Sequence, residues 1–94
     1  MEFEWNSAKA KRNLRKHSVS FEDATGVFLD PYRIEAFDGG EEYGEDRWRT
    51  VGFVEPALLV VVYTVRGKDD EVLRIISARK ADVNEREQYR KFQT

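Results

Sequence analysis

Polar and apolar residues alternate over Glu2-Phe3-Glu4-Trp5, the period of a short strand. Asn6 then offers an N-cap side chain, and Ser7 to Lys16 suit a helix. Its few apolar positions, Ala10 and Leu14, fall on one stripe, and the rest is largely basic. His17-Ser18 breaks the pattern. Ser20 and Asp23 have nearly the spacing of a capping box, with Val19 placed to staple onto Ala24. Phe21, Ala24, Val27 and Phe28 recur at helical spacing, which predicts a second helix over about 21–29 with one buried face, stopped by Asp30-Pro31.

Tyr32 to Phe37 reads as a strand, and Asp38 to Gly44, with three glycines, as a turn or loop. Arg47 to Val54 alternates: Arg47, Arg49, Val51 and Phe53 lie on one side, Trp48, Thr50, Gly52 and Val54 on the other. After a turn at Glu55-Pro56, Leu58 to Val65 is apolar on both faces, as expected of a central strand covered on both sides. Arg66 to Asp70 is a polar hairpin loop and Val72 to Ala78 the next strand. Asp82, with Glu85 at the box position, caps a final helix running to about Phe92. The order βααββββα indicates an α+β fold with a mainly antiparallel sheet. Neither a linker nor an internal repeat divides residues 1–94, so a single domain is expected.

Composition narrows the chemistry. The chain has no Cys, hence no disulfide, thiol nucleophile or thiolate metal site, and its one His excludes a multi-histidine zinc site. No apolar run approaches the roughly 20 residues of a membrane span, and the acidic N-terminus lacks a signal peptide's apolar region, so a cytoplasmic protein is expected. The net charge of −2 hides a partition: residues 1–20 carry +3, residues 21–46 carry −8 and residues 47–94 carry +3. A near-neutral total is therefore compatible with nucleic-acid binding if the bases gather on one face.

Four places could carry chemistry. His17 ends a basic helix, where the dipole favours imidazolium, and it could serve as acid or base or simply cap the helix. Arg79-Lys80, at a strand end before a helix, suits an anion, the structural alternative being a salt bridge to Asp82 or Glu85. Tyr63 and Arg66 leave the central strand together and could orient a phosphodiester, unless Tyr63 is a core ring. Arg47 and Arg49 share a strand face and, with Arg66, Arg74 and Arg79, could line one side of a sheet with the planar forks that phosphate favours. Strict alternation opposes this convergence, because it puts Arg74 and Arg79 on opposite faces unless the strand ends before Arg79. The acidic stretch 38–46 lacks the spacing of a calcium loop, and no P-loop or dinucleotide fingerprint is present.

An ordered set of motifs spans nearly the whole chain. Phe3-Glu4-Trp5-Asn6, Lys9, Asn13, Lys16-His17, Val19 and Phe21-Glu22-x-Ala24 are followed by Arg47-x-x-x-Val51-Gly52 and Tyr63-Thr64-x-Arg66. Arg74-Ile75-Ile76-Ser77-Ala78-Arg79-x-Ala81 and Glu85-Arg86-x-x-Tyr89 complete it. Together they resemble the BrnT family of bacterial ribonuclease toxins. The resemblance implies a RelE-like α+β fold and a place in a type II toxin–antitoxin pair. It further implies a BrnA-type DNA-binding antitoxin, a complex of two toxins bridged by an antitoxin dimer, and contact with operator DNA only through the antitoxin. It implies no cofactor, metal or membrane.

The expected reaction is metal-independent RNA cleavage by the substrate's 2′-hydroxyl. Lys9, His17, Tyr63, Arg66, Arg79 and Glu85 are its catalytic candidates, with His17 or Glu85 as base; Lys16, Arg47, Arg49, Arg74 and Lys80 are candidates for substrate binding. The alternative is a non-catalytic antitoxin-binding or corepressor subunit. Family members usually carry Asp at Asn6, an equally good cap, and Gly at Ser18, which suggests positive φ there and a slightly shifted helix end.

Overall fold

The computed structural model describes residues 1–40 and 44–93. Of the acidic stretch read as a loop, Glu41, Glu42 and Tyr43 lie outside the described residues. The elements are β1 (Glu2–Glu4), α1 (Ser7–His17), α2 (Phe21–Ala24), a 3-10 turn (Thr25–Leu29), β2 (Ile34–Phe37), β3 (Trp48–Val54), β4 (Ala57–Arg66), β5 (Val72–Lys80) and α3 (Val83–Lys91). The strands form one sheet in the order β1-β5-β4-β3-β2. All neighbours are antiparallel except β1, which runs parallel to β5, so the sheet is mixed.

The caps behave as their chemistry requires. Asn6 Oδ1 accepts from the Lys9 N–H at 3.0 Å, and Ser20 Oγ accepts from the Asp23 N–H at 3.0 Å. Asp82 and Glu85 form a complete capping box. Ser18 takes the left-handed conformation, φ 58°, and closes α1 with its N–H on the Leu14 carbonyl. The helix thus ends at His17, one residue beyond the expected stretch, and a β-carbon sits where glycine would be unstrained.

The predicted second helix is only one α turn long. From Thr25 it tightens to 3-10, because the chain must press close to β3: a Cβ on Gly52 would lie 2.7 Å from Val27 Cγ1 and 3.1 Å from the Val27 carbonyl oxygen. The strand expected from Tyr32 starts at Ile34, since Asp30 takes the Tyr32 and Arg33 backbone N–H groups into a turn.

The helices α1 and α2 cover one face of the sheet. Leu59, Val61, Tyr63, Leu73, Ile75 and Ala78 pack there against Val19, Phe21, Ala24, Val27 and Phe28. Aromatic rings tie β1 and α2 to this core: Trp5 meets Phe21 edge-on at 6.0 Å, and Phe28 meets Tyr63 edge-on at 5.0 Å. Among the described residues, the opposite face is covered by a helix only at one end, where α3 lays Tyr89 on Val51, Val60 and Ala81. The rest of that face carries the arginines.

Candidate nucleic-acid interface

One residue too many in β5 decides where the arginines point. Val62 is opposite Ser77, but Tyr63 is opposite Ile75, so Ile76 is a bulge. Leu73 and Ile75 face the helices before it, and Ala78 faces them after it. The bulge therefore resets the alternation and returns Arg74 and Arg79 to the same face, the one away from α1. This overturns the strict-parity expectation that they would lie on opposite faces. Arg49 is opposite Val62, and Arg66, next after core-facing Val65, follows the same alternation, so both join that face. Arg47 precedes β3 on the same side, its backbone paired with Asp38 and Gly39.

Each arginine within the strands meets a carboxylate from a different part of the chain. Glu4 of β1 lies 3.5 Å from Arg74, Asp38 lies 3.8 Å from Arg49, and Glu45 lies 3.3 Å from Arg66. These three pairs are substantially exposed and weak. Arg79 is held differently. Its two terminal nitrogens donate to both Glu85 oxygens at 2.8 Å, and Glu85 also accepts from the Asp82 N–H at 2.8 Å. The hydrogen bond from Arg79 outweighs burial and holds the Glu85 carboxyl down to about 2, with Arg49 adding to the pull. Glu85 in turn raises the Arg79 guanidinium above its ordinary value, and Asp38 contributes. Arg49, Arg79, Asp38 and Glu85 thus feel one another across the sheet.

The helix carrying Glu85 is pinned by a buried hub. Tyr89 Oη donates to Asp30 Oδ2 at 2.5 Å, and the same oxygen accepts from the Phe53 N–H at 2.8 Å. Burial opposes the Asp30 charge, yet the bonds from Tyr89, Phe53 and Tyr32 hold its carboxyl below the ordinary range. Local sequence marks Asp30 only as a helix stop, and this tie to α3 across 59 residues leaves no local trace in sequence.

Other candidates fall elsewhere. Lys9, Arg12, Lys16 and His17 line a shallow groove with Ile76 and Ser77, where α1 meets the bulge. Asn13 forms its floor and completes the edge of β5 beyond the short β1. Its Nδ2 donates to the Ala78 and Val19 carbonyls at 2.7 and 3.0 Å, and its Oδ1 accepts from the Ala78 N–H at 3.2 Å. A side-chain amide so takes the place of a strand residue. An Asn in mid-helix, where its propensity is poor, was the available signal. Lys80 is exposed, and alternation points it away from Arg79. Tyr63 is buried on the helix side against Phe28, its phenol pushed up to about 12 by burial and by Glu35. The structure does not bring Tyr63 to the arginines. Among the described residues, no group of three or more His, Cys, Asp or Glu is arranged to hold a metal, and no helix is long and apolar enough to cross a membrane.

Residues 5–85 match the model of the family described as the ribonuclease toxin, BrnT, of type II toxin–antitoxin systems. The chain belongs to the BrnT family. A crystal structure of the Brucella abortus ribonuclease toxin BrnT is similar, with a TM-score of 0.65 and 25% identity, covering 87% of this chain and 97% of that one. No curated protein matches the sequence. Membership makes a ribonuclease toxin the role at family level, with an antitoxin as the partner that such systems supply. The RelE-like α+β fold expected from the motifs agrees with the mixed five-stranded sheet and its flanking helices.

Proposed function

We propose that this BrnT-family chain is a metal-independent endoribonuclease whose RNA lies on the arginine face. The observation that carries the reading is the bulge at Ile76, which brings Arg74 and Arg79 to the same face as Arg49 and Arg66, a face that α3 covers at one end. In the proposed reaction the RNA 2′-oxygen bonds to the adjacent phosphorus and the bond to the 5′-oxygen breaks. The 2′-hydroxyl proton goes to a base, and the leaving oxygen takes a proton. Arg79 and Arg49 stabilise the charge that builds on the phosphorane. Glu85, a carboxylate whose value lies at about 2, is a weak base and acts instead by aiming the Arg79 fork. His17, with Lys9 in the groove of α1, lies away from that face and is given no part, so water takes the proton. Tyr63 is given no part in the chemistry.

The proposal extends to a BrnA-type antitoxin, two toxins held by an antitoxin dimer, operator DNA reached only through that partner, and a cytoplasmic site of action. The reaction is tested by cleavage of RNA in excess EDTA. Wild-type protein should cleave, and Arg79→Ala should lose about 10²–10³-fold in rate while still folding. Loss of wild-type cleavage in the chelator, or an unchanged Arg79→Ala rate, contradicts it. A wild-type chain that neither cleaves RNA nor arrests growth on induction, yet binds the antitoxin tightly, is the corepressor subunit instead.

A further inference from the structure

The arginines stand in a ladder along β4. Taking β4 residues as rungs, Arg79 is opposite Val60, Arg49 opposite Val62 and Arg74 opposite Thr64, and Arg66 is its own rung. Successive rungs are two residues apart, or about 6.7 Å, so the four rungs span about 20 Å along β4, with the arginines reaching in from either side of it. The cations come alternately from β5 and β3, about 4.8 Å to either side of β4, and finish on β4 itself. Each of these four arginines is paired with one carboxylate: Glu85, Asp38, Glu4 and Glu45 in order. Among the described residues, no aromatic side chain occupies a rung.

The regular rung spacing along β4, onto which the arginine side chains lean from both sides, matches the repeat of phosphates along an extended nucleic-acid strand. Resting on the reading of this face as the RNA site, we infer that it takes a single RNA strand running along β4 as far as the foot of α3, one phosphate per rung, the phosphates displacing the exposed carboxylates Glu45, Glu4 and Asp38 while Glu85 keeps its hold on Arg79. The Arg79 rung lies at the foot of α3, from which Glu85 reaches down. A helix is about 10 Å across, so α3, packed on the sheet through Tyr89, forms a wall at that end. A broad duplex is held off by it, whereas one strand fits into the angle between helix and sheet. With no rung aromatic to stack on, the bases point outward and the ladder reads backbone rather than sequence. The carboxylates set the selectivity: a single anion gains little by evicting one, while a chain of phosphates evicts several at once.

The test is fluorescence anisotropy with 2′-O-methyl oligouridylates of two to eight nucleotides, which cannot be cleaved by their own 2′-oxygen. Affinity should climb with each added phosphate up to about four and then flatten, and log K should fall with log salt at a slope near −2.8. Arg66→Gln should flatten one phosphate earlier, with a slope near −2.1, and leave the shortest oligomers unaffected. Glu45→Gln should tighten the longer oligomers by about two- to fivefold. A duplex of equal length should bind more weakly, and oligoadenylates about as well. Affinity independent of length, an equal loss at every length in Arg66→Gln, weaker binding by Glu45→Gln or a preferred duplex overturns the ladder. If Arg49→Ala and Arg79→Ala lose binding while length has no effect, the ladder alone fails. If both bind as wild type does, the arginine face is not the RNA site and both readings fail.

Discussion

The two faces of the sheet are built from alternate residues of the same strands, and they differ in what fills them. On the helix side Val61, Tyr63, Leu73 and Ile75 bury themselves against Phe21, Val27 and Phe28. On the other side, next to them in the chain, Arg49, Arg66, Arg74 and Arg79 stand in ion pairs, three of which are exposed and weak. The first face is bound by packing, the second, beyond the Tyr89 cluster, largely by ion pairs. A fold this small puts its larger core on one face and most of its paired strand charges on the other.

The comparison breaks most visibly through the core. Phe21 is fully buried, so Phe21→Ala should cost about 3–5 kcal/mol, read as a drop in the urea midpoint. Cleavage per folded molecule should not change; a selective loss of cleavage would show that the helix face takes part in the chemistry. The edge of β5 comes next. Asn13→Ala strands the Ala78 N–H and two carbonyls and should cost roughly 2–3 kcal/mol. Asn13→Asp should fare no better, since a carboxylate cannot donate to those carbonyls, and an Asp variant of wild-type stability would contradict the edge-closing role.

On the arginine side the expected effect is smaller and depends on pH. The Glu85 carboxyl is held below its unfolded value of 4.5, so its contribution is fully present above that pH and is lost as the pH falls toward about 2. Chemical denaturation at pH 7 and pH 3 should show this loss in wild type, and Glu85→Gln should lack that share of it. An identical acid dependence in the two proteins would place the Arg79–Glu85 pair among the weak ones. Smallest of all, Ser18→Gly relieves a left-handed serine and should raise stability by about 1 kcal/mol. A lower melting temperature for that variant would mean that the Ser18 side chain contributes something the strain conceals.

Much of this architecture was legible from local pattern. The caps at Asn6, Ser20 and Asp82, the order of elements and the central strand all follow from short-range chemistry. The arginines were visible as candidates, but their convergence was not. Alternation cannot register a single inserted residue, and Ile76 becomes a bulge only through its pairing with β4. Tyr63 was ambiguous for a related reason: a strand apolar on both faces does not say which face meets the helices. Asn13 and Asp30 act across 65 and 59 residues, and their partners are supplied by the fold alone.

The claim that one face binds RNA and the other holds the fold is met most directly by NMR. The arginine side-chain Nε–Hε resonances would be followed during titration with a 2′-O-methyl oligouridylate. The account predicts large shifts at Arg49, Arg66, Arg74 and Arg79, with the indole signals of Trp5 and Trp48 on the helix side nearly still. Shifts concentrated on Trp5 and Trp48, with those four arginines unmoved, would contradict it.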